Sequence, residues 1–547
     1  MQPRRVKSMN IEVFLQNDKK PKRNWAPITI FALLTLAYVA LRFLLIPRFP
    51  QVCYGFRHDS AYLAIVARNL LAGRGFVLDA LWLNFDNPPS LPMPYRNANP
   101  LFPFLVATLS KVTGSPVVWS AFALSALASA LLLFASFLLA RNFFDQTKAF
   151  GMACLIVILP EVWTASWMAL TDELWLALIL FSVAFLMRSD QLRSCIYSGI
   201  FFGLAWLTRS LAIVALPSVI VFLLLRYGWK SGLRKAITFC LISLLVASPW
   251  IIRNMRLGNV SSDDNSKVIA VWAYYVSGND SAIKAFHSPN APSSLINLIS
   301  KHPIAVAERA WQGSRPLFII LLKSFSGGSR LGTIIFLLLV GLCITSPGCR
   351  GLLRSPGLAA FTLYIVLLFI LLSVVGRWTE TRYFALLHVL VGLWILTCIF
   401  HQHGRRQVLS VVFAVCFYAV VIRVAYLNAV WLRSVDEKQL TYFTAAQIVA
   451  SRTNSMPVVV GFYPYNYTFV TGAQALAIPN SDDDYLVAFM NKYNACYLFL
   501  RADELKFFKP EWQTQLPSNL ILASHQQDFY LFMAKRKECG NLKLAAD

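Results

Sequence analysis

Apolar runs long enough to cross a bilayer, about 20 residues each, recur near 26–46, 116–140, 149–168, 171–187, 195–208, 210–226, 236–252, 330–346, 357–375, 382–400 and 407–427. They predict about eleven membrane-spanning helices. A polar, aromatic and Pro-rich loop, residues 47–113, separates the first two runs. Within it Tyr62, Ile65, Val66, Asn69 and Leu70 fall at i, i+3, i+4, i+7 and i+8, one face of a helix over 59–71. Gly73 and Gly75 should end that helix, and its amphipathic pattern predicts that it lies along the membrane surface. A second amphipathic piece is expected near 98–113, and a further surface helix near 316–323.

Beyond residue 430 the pattern changes. Residues 457–461 read as a buried strand, and 495–500, 519–523 and 529–533 as further strands. Ser481, followed by Asp482, Asp483 and Asp484, reads as a helix start with a Ser cap and first-turn acids. The expected fold class is therefore an all-α polytopic membrane protein with a small C-terminal α/β extracytoplasmic domain. Residues 1–24 form a basic cytoplasmic tail and 25–429 the transmembrane domain with its large first extracytoplasmic loop, 47–113. Residues 430–547 form the C-terminal domain.

Charge sets the orientation. The chain has 50 Lys+Arg against 26 Asp+Glu, a formal net charge of +24. In a soluble protein that balance would suggest nucleic acid. Here only 14% of residues are charged, against about 25% in soluble proteins, and the basic ones cluster in short connections: 141–148, 188–193, 226–235, 350–354 and 405–406. The positive-inside rule accounts for them without a nucleic acid partner. It puts the N-terminus in the cytoplasm and, with an odd number of spans, residues 430–547 outside. Most of the ten cysteines lie in apolar runs, where a thiol packs as a small hydrophobe. Cys53, Cys496 and Cys539 lie outside them, so a Cys496–Cys539 bridge is compatible with the pattern. No CxxC or Cys/His ligand spacing indicates a zinc site.

Several short polar motifs punctuate this frame. They are Asp59-Ser60-Ala61-Tyr62, Asn69-Leu70-Leu71-Ala72-Gly73-Arg74-Gly75-Phe76, Asn99-Pro100-Leu101-Phe102-Pro103, Leu170-Thr171-Asp172-Glu173, Leu207-Thr208-Arg209, Ser248-Pro249-Trp250-Ile251-Ile252-Arg253-Asn254 and Arg382-Tyr383. In order and spacing the set resembles the type C glycosyltransferases. The likeness is to bacterial relatives of the dolichyl-phosphate-mannose protein mannosyltransferases and of the lipid A aminoarabinose transferase. The resemblance covers most of residues 26–400. It implies a bundle of transmembrane helices with surface helices in the first loop. It also implies transfer of a sugar from a polyprenyl-phosphate donor to a lipid, glycan or protein acceptor, with inversion, on the periplasmic face of the bacterial inner membrane. Asp59 matches the family's first-loop aspartate, and Asp172, with Glu173 beside it, its second acidic position. The chain departs at Asn97-Ala98-Asn99-Pro100, where relatives often carry an acid or a basic-Pro pair. It departs again after Arg382-Tyr383, where Leu386-Leu387-His388 replaces an expected Pro.

Such a reaction needs a base for the acceptor hydroxyl and a cation for the phosphate leaving group, a task that suits the bidentate fork of Arg. Asp59 is the first candidate base, although Asp is also a favoured helix cap. Asp172 and Glu173 come second, although acids at a span end are also cheap among headgroups. Arg96 and Arg382 are candidates for the phosphate, against ordinary snorkelling or structural pairing. Arg57, His58, Tyr62, Asn99 and Tyr383 complete the substrate-binding candidates. No motif requires a cofactor. A divalent metal would draw on His287 or His302 with an acid, but their wide spacing favours solvated loop positions. Trp272, Tyr274, Tyr275 and Trp311 suit stacking on sugar or lipid and suit interfacial anchoring equally.

Two other readings fit a polytopic chain. A transporter or flippase places ionisable groups inside its spans, whereas here His388 and Arg423 are the main such residues and the polar groups gather in loops on one side. A membrane anchor for residues 430–547 leaves the polar first loop unexplained.

Overall fold

A computed structural model describes residues 26–56, 58–82, 88–96, 100–257, 294–326, 328–345, 356–375, 380–400, 404–437, 440, 443–444, 447, 457–526 and 529–535. The first helix, α1 (Ala26–Leu44), leads into the long loop. There α2 (His58–Leu71) forms as the apolar spacing predicts, and Gly73 and Gly75, at φ of 72° and 76°, end it in the left-handed region. It does not lie on a surface. Ser60, Ala61, Leu63, Ala64, Ile65, Val66, Ala67 and Asn69 are all buried, because protein covers both its sides. Two-residue strands β1 (Val77–Leu78), β2 (Ala80–Leu81) and β3 (Met93–Pro94) follow, and α3 (Leu101–Thr113) closes the loop.

The bundle then runs through α4 (Val117–Ala140), α5 (Gln146–Val157), α6 (Pro160–Ser166), α7 (Asp172–Arg188), α8 (Leu192–Thr208) and α9 (Leu216–Arg256). The apolar run expected over 149–168 is broken: α5 and α6 meet at 71°. Pro160 begins α6 and holds Leu159 out of the helical region. The segment α9 is two helices. Gly228 has φ of 74°, and Gly232 comes so close to its predecessors that a Cβ there would lie 2.6 Å from the Leu223 carbonyl oxygen. Nine residues of straight helix would span about 13 Å, so the chain folds back at this point, as the separate runs at 210–226 and 236–252 require. In α8, Gly199 and Gly203 let the backbone approach the returning helix, and Ser243 Oγ donates to the Gly199 carbonyl at 3.1 Å.

The rest of the helical body comprises α10 (Leu295–Lys301), α11 (Pro303–Phe325), α12 (Arg330–Ile344), α13 (Pro356–Val375), α14 (Ala385–Phe400) and α15 (Arg405–Arg433). The stretch expected at 316–323 is the last part of α11. Among the described residues, 4 helices are long and apolar enough to cross a membrane singly, or up to 6 if each bent pair is one span. The difference from the eleven apolar runs reflects the short helices, such as the 17-residue α7 and α8. The chain is an integral membrane protein.

The C-terminal part alternates β4 (Val458–Gly461), α16 (Pro464–Thr471), β5 (Ala475–Ala477), α17 (Asp483–Lys492), β6 (Ala495–Arg501), α18 (Ala502–Phe508), β7 (Leu520–Gln526) and β8 (Phe529–Ala534). Helix α17 is capped by Asp482, whose side chain accepts from the Tyr485 N–H at 2.7 Å, one residue later than the Ser481 cap expected. The sheet order is β2-β5-β4-β6-β8-β7, with β2, β5, β4 and β6 parallel and β8 pairing antiparallel with both β6 and β7. One strand of this sheet, β2, therefore comes from the first loop, some 400 residues earlier, across the boundary expected at 430. Cys539 lies outside the described residues.

Polar residues of the loop motifs hold this junction. Arg74 grips buried Asp79 with two bonds of 3.0 Å and also donates to Asn69 Oδ1, while Asn69 Nδ2 donates to the Val77 carbonyl at 2.8 Å. Arg68 donates to the Thr468 and Phe469 carbonyls of α16, both at 3.2 Å. At the end of α9, Arg253 donates to the carbonyls of Tyr95 (2.8 Å) and Phe76 (3.0 Å), and Asn254 to that of Arg96 (3.0 Å). Replacing Arg74 by Ala leaves the Asp79 carboxylate, 2% exposed, with only the 3.8 Å contact to Arg68 among the described residues. Breaking a buried pair costs roughly 3–5 kcal/mol. Arg74 is 45% exposed, so a loss nearer about 2 kcal/mol is expected. It should appear as a lower unfolding midpoint and earlier proteolytic release of the C-terminal part. An unchanged midpoint would mean that Arg68 alone satisfies Asp79.

Candidate active site

Four motifs far apart in sequence meet at one point. The N-terminus of α2 brings Asp59, the N-terminus of α7 brings Asp172, the end of α8 brings Arg209, and the 3-10 turn Thr381–Phe384 before α14 brings Arg382 and Tyr383. Both aspartates lie in first helical turns, where the helix dipole favours negative charge. Arg382 is the centre. Its Nη2 donates to Asp59 Oδ2 at 2.7 Å, its Nη1 lies 3.6 Å from Asp172 Oδ2, and its Nε faces the Glu380 carboxylate. Arg209 pairs with Asp172 Oδ1 and lies over the Tyr383 ring, 4.8 Å from its centroid.

The two aspartates differ in access. Asp172 is 3% exposed and held from two sides, whereas the Asp59 side chain is 54% exposed. Among the described residues the Asp59 carboxylate accepts a bond only at Oδ2. Capping does not describe Asp59. It lies inside the helix, and its partner is 323 residues away rather than an N–H of its own first turn. Its surroundings tend to raise its pKa by desolvation. The Arg382 guanidinium outweighs that, with help from His58, and holds the carboxyl below its ordinary value.

Glu173 goes elsewhere. Consecutive helical residues point about 100° apart, so Glu173 faces α4, accepts from Ser129 and has Arg42 of α1 as its electrostatic partner. Arg42 lies 3.7 Å from the centroid of the Trp167 ring. His58 packs among Trp82 (4.0 Å between centroids), Tyr465 (4.5 Å) and Tyr463 (5.9 Å). Burial pushes its pKa down to about 4 against the pull of Asp59. Tyr62, one turn after Asp59, lies against Tyr95 and Tyr465. Arg96 is anchored through its backbone beside Arg253, and among the described residues no carboxylate reaches its guanidinium. Arg57, Asn99, Trp272, Tyr274, Tyr275 and His287 lie outside the described residues. Arg209 and Glu380 were not among the candidates. The signal for Arg209 was present, a basic residue closing an apolar run within Leu207-Thr208-Arg209.

Residues 94–252 match the model of the dolichyl-phosphate-mannose-protein mannosyltransferase family. No curated protein matches the chain in sequence. Solved structures do match it. ArnT from Cupriavidus metallidurans bound to undecaprenyl phosphate superposes with a TM-score of 0.59 at 13% identity, over 93% of this chain and 98% of that one. The archaeal oligosaccharyltransferase AglB from Archaeoglobus fulgidus, in complex with an inhibitory peptide and a dolichol-phosphate, gives 0.55 at 11% identity, over 86% and 69%.

The fold is that of the type C glycosyltransferases. Within this type C scaffold the family match contains Asp172 and Arg209, while Asp59, Arg253 and Arg382 lie outside it. Among the described residues no group of three or more His, Cys, Asp or Glu side chains converges as a metal site, His302 included.

The Arg209–Asp172 pair is buried on both sides, with exposures of 12% and 3%. Arg209→Leu or Asp172→Leu alone should each cost roughly 3–5 kcal/mol by stranding the other charge. The double substitution should cost less than the sum, by about 1–3 kcal/mol. Unfolding of the purified protein in detergent checks this, and strict additivity would dissolve the pair.

Proposed function

We propose that the protein is a membrane glycosyltransferase acting on the periplasmic face of a bacterial inner membrane. It moves a sugar from a polyprenyl-phosphate donor to an acceptor hydroxyl, with inversion. The convergence of Asp59, Asp172, Arg209 and Arg382 carries this reading. The likeness to ArnT and AglB, solved with polyprenyl phosphates, supports the choice of donor. An arrangement of about eleven spans with the N-terminus inside, set by the basic connections, puts the cluster and the C-terminal domain on that face.

In this mechanism Asp59 Oδ1 takes the proton of the acceptor hydroxyl. The oxygen attacks the anomeric carbon from the side opposite the phosphate. The bond from that carbon to the phosphate oxygen breaks, and its electron pair stays on the departing phosphate, which inverts the anomeric centre. Arg382 meets the leaving group. Its charge is shared at rest by three carboxylates, and Glu380, 56% exposed, gives way at least cost because water takes over its solvation. Asp172 and Arg209 keep Arg382 and Tyr383 in place. Arg96, without a carboxylate partner among the described residues, is the second phosphate contact. The anchor reading fits poorly with a sheet that takes a strand from the first loop.

Asp59→Asn should lower transfer from a polyprenyl-phosphate sugar at least about a hundredfold, because an amide takes no proton, and should leave the unfolding midpoint near that of the parent. A variant as active as the parent would remove Asp59 as the base. Arg382→Lys should impair donor use less than Arg382→Gln, since Lys keeps the charge and loses only the fork.

The pH profile gives a separate check. Asp59 works ionised, so activity holds above its pKa and fails as pH falls through it. Arg382 depresses that pKa, and the residual activity of Arg382→Gln should therefore lose its acid limb at higher pH than the parent. An unmoved limb would falsify the assignment of that limb to Asp59.

A further inference from the structure

Asp59 stands beside a wall of rings assembled from three places. His58 and Tyr62 flank it on α2, Trp82 follows β2 in the first loop, and Tyr463 and Tyr465 come from the C-terminal part at the start of α16. His58 lies 4.0 Å from Trp82 and 4.5 Å from Tyr465, Tyr62 lies 4.9 Å from Tyr465, and Trp82 is nearly parallel to Tyr463, at 14° and 6.2 Å. We propose that this wall is the acceptor subsite and that the acceptor is a neutral carbohydrate, its ring laid against Trp82 and Tyr463 with one hydroxyl presented to Asp59. The inference rests on the reading of Asp59 as the base.

Exposure separates the wall from ordinary core. Tyr465 is buried at 7%, whereas His58, Tyr62, Trp82 and Tyr463 are only partly covered. Rings that are part packed and part open, beside a half-exposed carboxylate, suit a ligand that is apolar on its faces and polar at its rim. A sugar has that form, with C–H faces and a fringe of hydroxyls that donate and accept. The wall matches the fringe in kind. The tyrosine hydroxyls both donate and accept, and the Trp and Tyr rings bring no charge to draw an acidic acceptor.

A peptide acceptor that adds as a strand would need a different surface. An extended chain binds by adding to an open sheet edge. The edge beside Trp82 is β2, and Ala80 and Leu81 are both 0% exposed, so that edge is already covered.

The test uses the purified full-length protein with a radiolabelled polyprenyl-phosphate sugar and two acceptor pools. One is neutral glycan released from the cell envelope, and the other is a set of Ser/Thr peptides. Label in the glycan is expected, with Trp82→Leu and Tyr463→Leu each raising the acceptor KM about fivefold, the scale of one lost aromatic contact. The donor KM should not move. Trp82→Phe, which keeps a stacking face, should recover most of the loss, which a merely unstable variant would not allow. Label in the peptides, or an acceptor KM unmoved by both Leu variants, overturns the proposal. Asp59→Asn keeps the two readings apart. If it retains activity the base assignment fails, whereas the acceptor KM of the wall variants reports on the subsite alone.

Discussion

One guanidinium organises the site. Arg382 stands between carboxylates from α2, α7 and its own turn, and the turn that carries it opens α14. The reason is the cost of a buried charge. Asp172 is almost wholly removed from water, and a carboxylate there persists only with compensation close at hand. Arg209 supplies one partner and Arg382 the second, so the ends of α7, α8 and the turn before α14 are bound to a common point. Asp59 joins the same point from a loop outside the apolar runs. The site is therefore as rigid as the helix ends that form it, except on the side where Asp59 and Glu380 meet water.

The same logic sorts the polar motifs. Asn69 and Arg74 look like chemistry in the sequence, yet they fold the first loop around Asp79. Arg253 and Asn254 likewise spend their donors on backbone carbonyls of that loop. These residues satisfy buried backbone groups that a loop leaves unpaired. By holding the loop to α9 and to the C-terminal sheet, they fix where α2 begins and hence where Asp59 stands. The C-terminal part is accordingly no appendage. It shares a sheet with the loop through β2, and α16 covers α2.

Much of this was legible in the chain. Spacing marked α2, and the glycines that end it occupy the left-handed region that only glycine enters freely. Strands β4, β6, β7 and β8 were visible as apolar runs between turn residues. Strands β2 and β5 were not, because two or three residues carry no period. Hydropathy foresaw α2 on a membrane surface, since it does not register a partner that arrives 400 residues later. Asp59, Asp172 and Arg382 were each identifiable, but the pairing of Asp172 with Arg209 follows from tertiary contact alone. The separation of Asp172 from Glu173 follows from helical rotation once α7 is known to start there.

Exposure decides which acid is suited to reaction. Asp172 and Asp59 share a cation, and a carboxylate closed off from water and substrate is a poor base whatever its partners. Asp172 is 3% exposed, with Arg209 at one oxygen and Arg382 3.6 Å from the other. Asp59 is bonded at a single oxygen, and more than half of its side chain is exposed. The pair thus divides the work that two like carboxylates cannot share at one point. The buried acid holds the arginine that holds the open acid, and of these two aspartates it is the open one that solvent reaches.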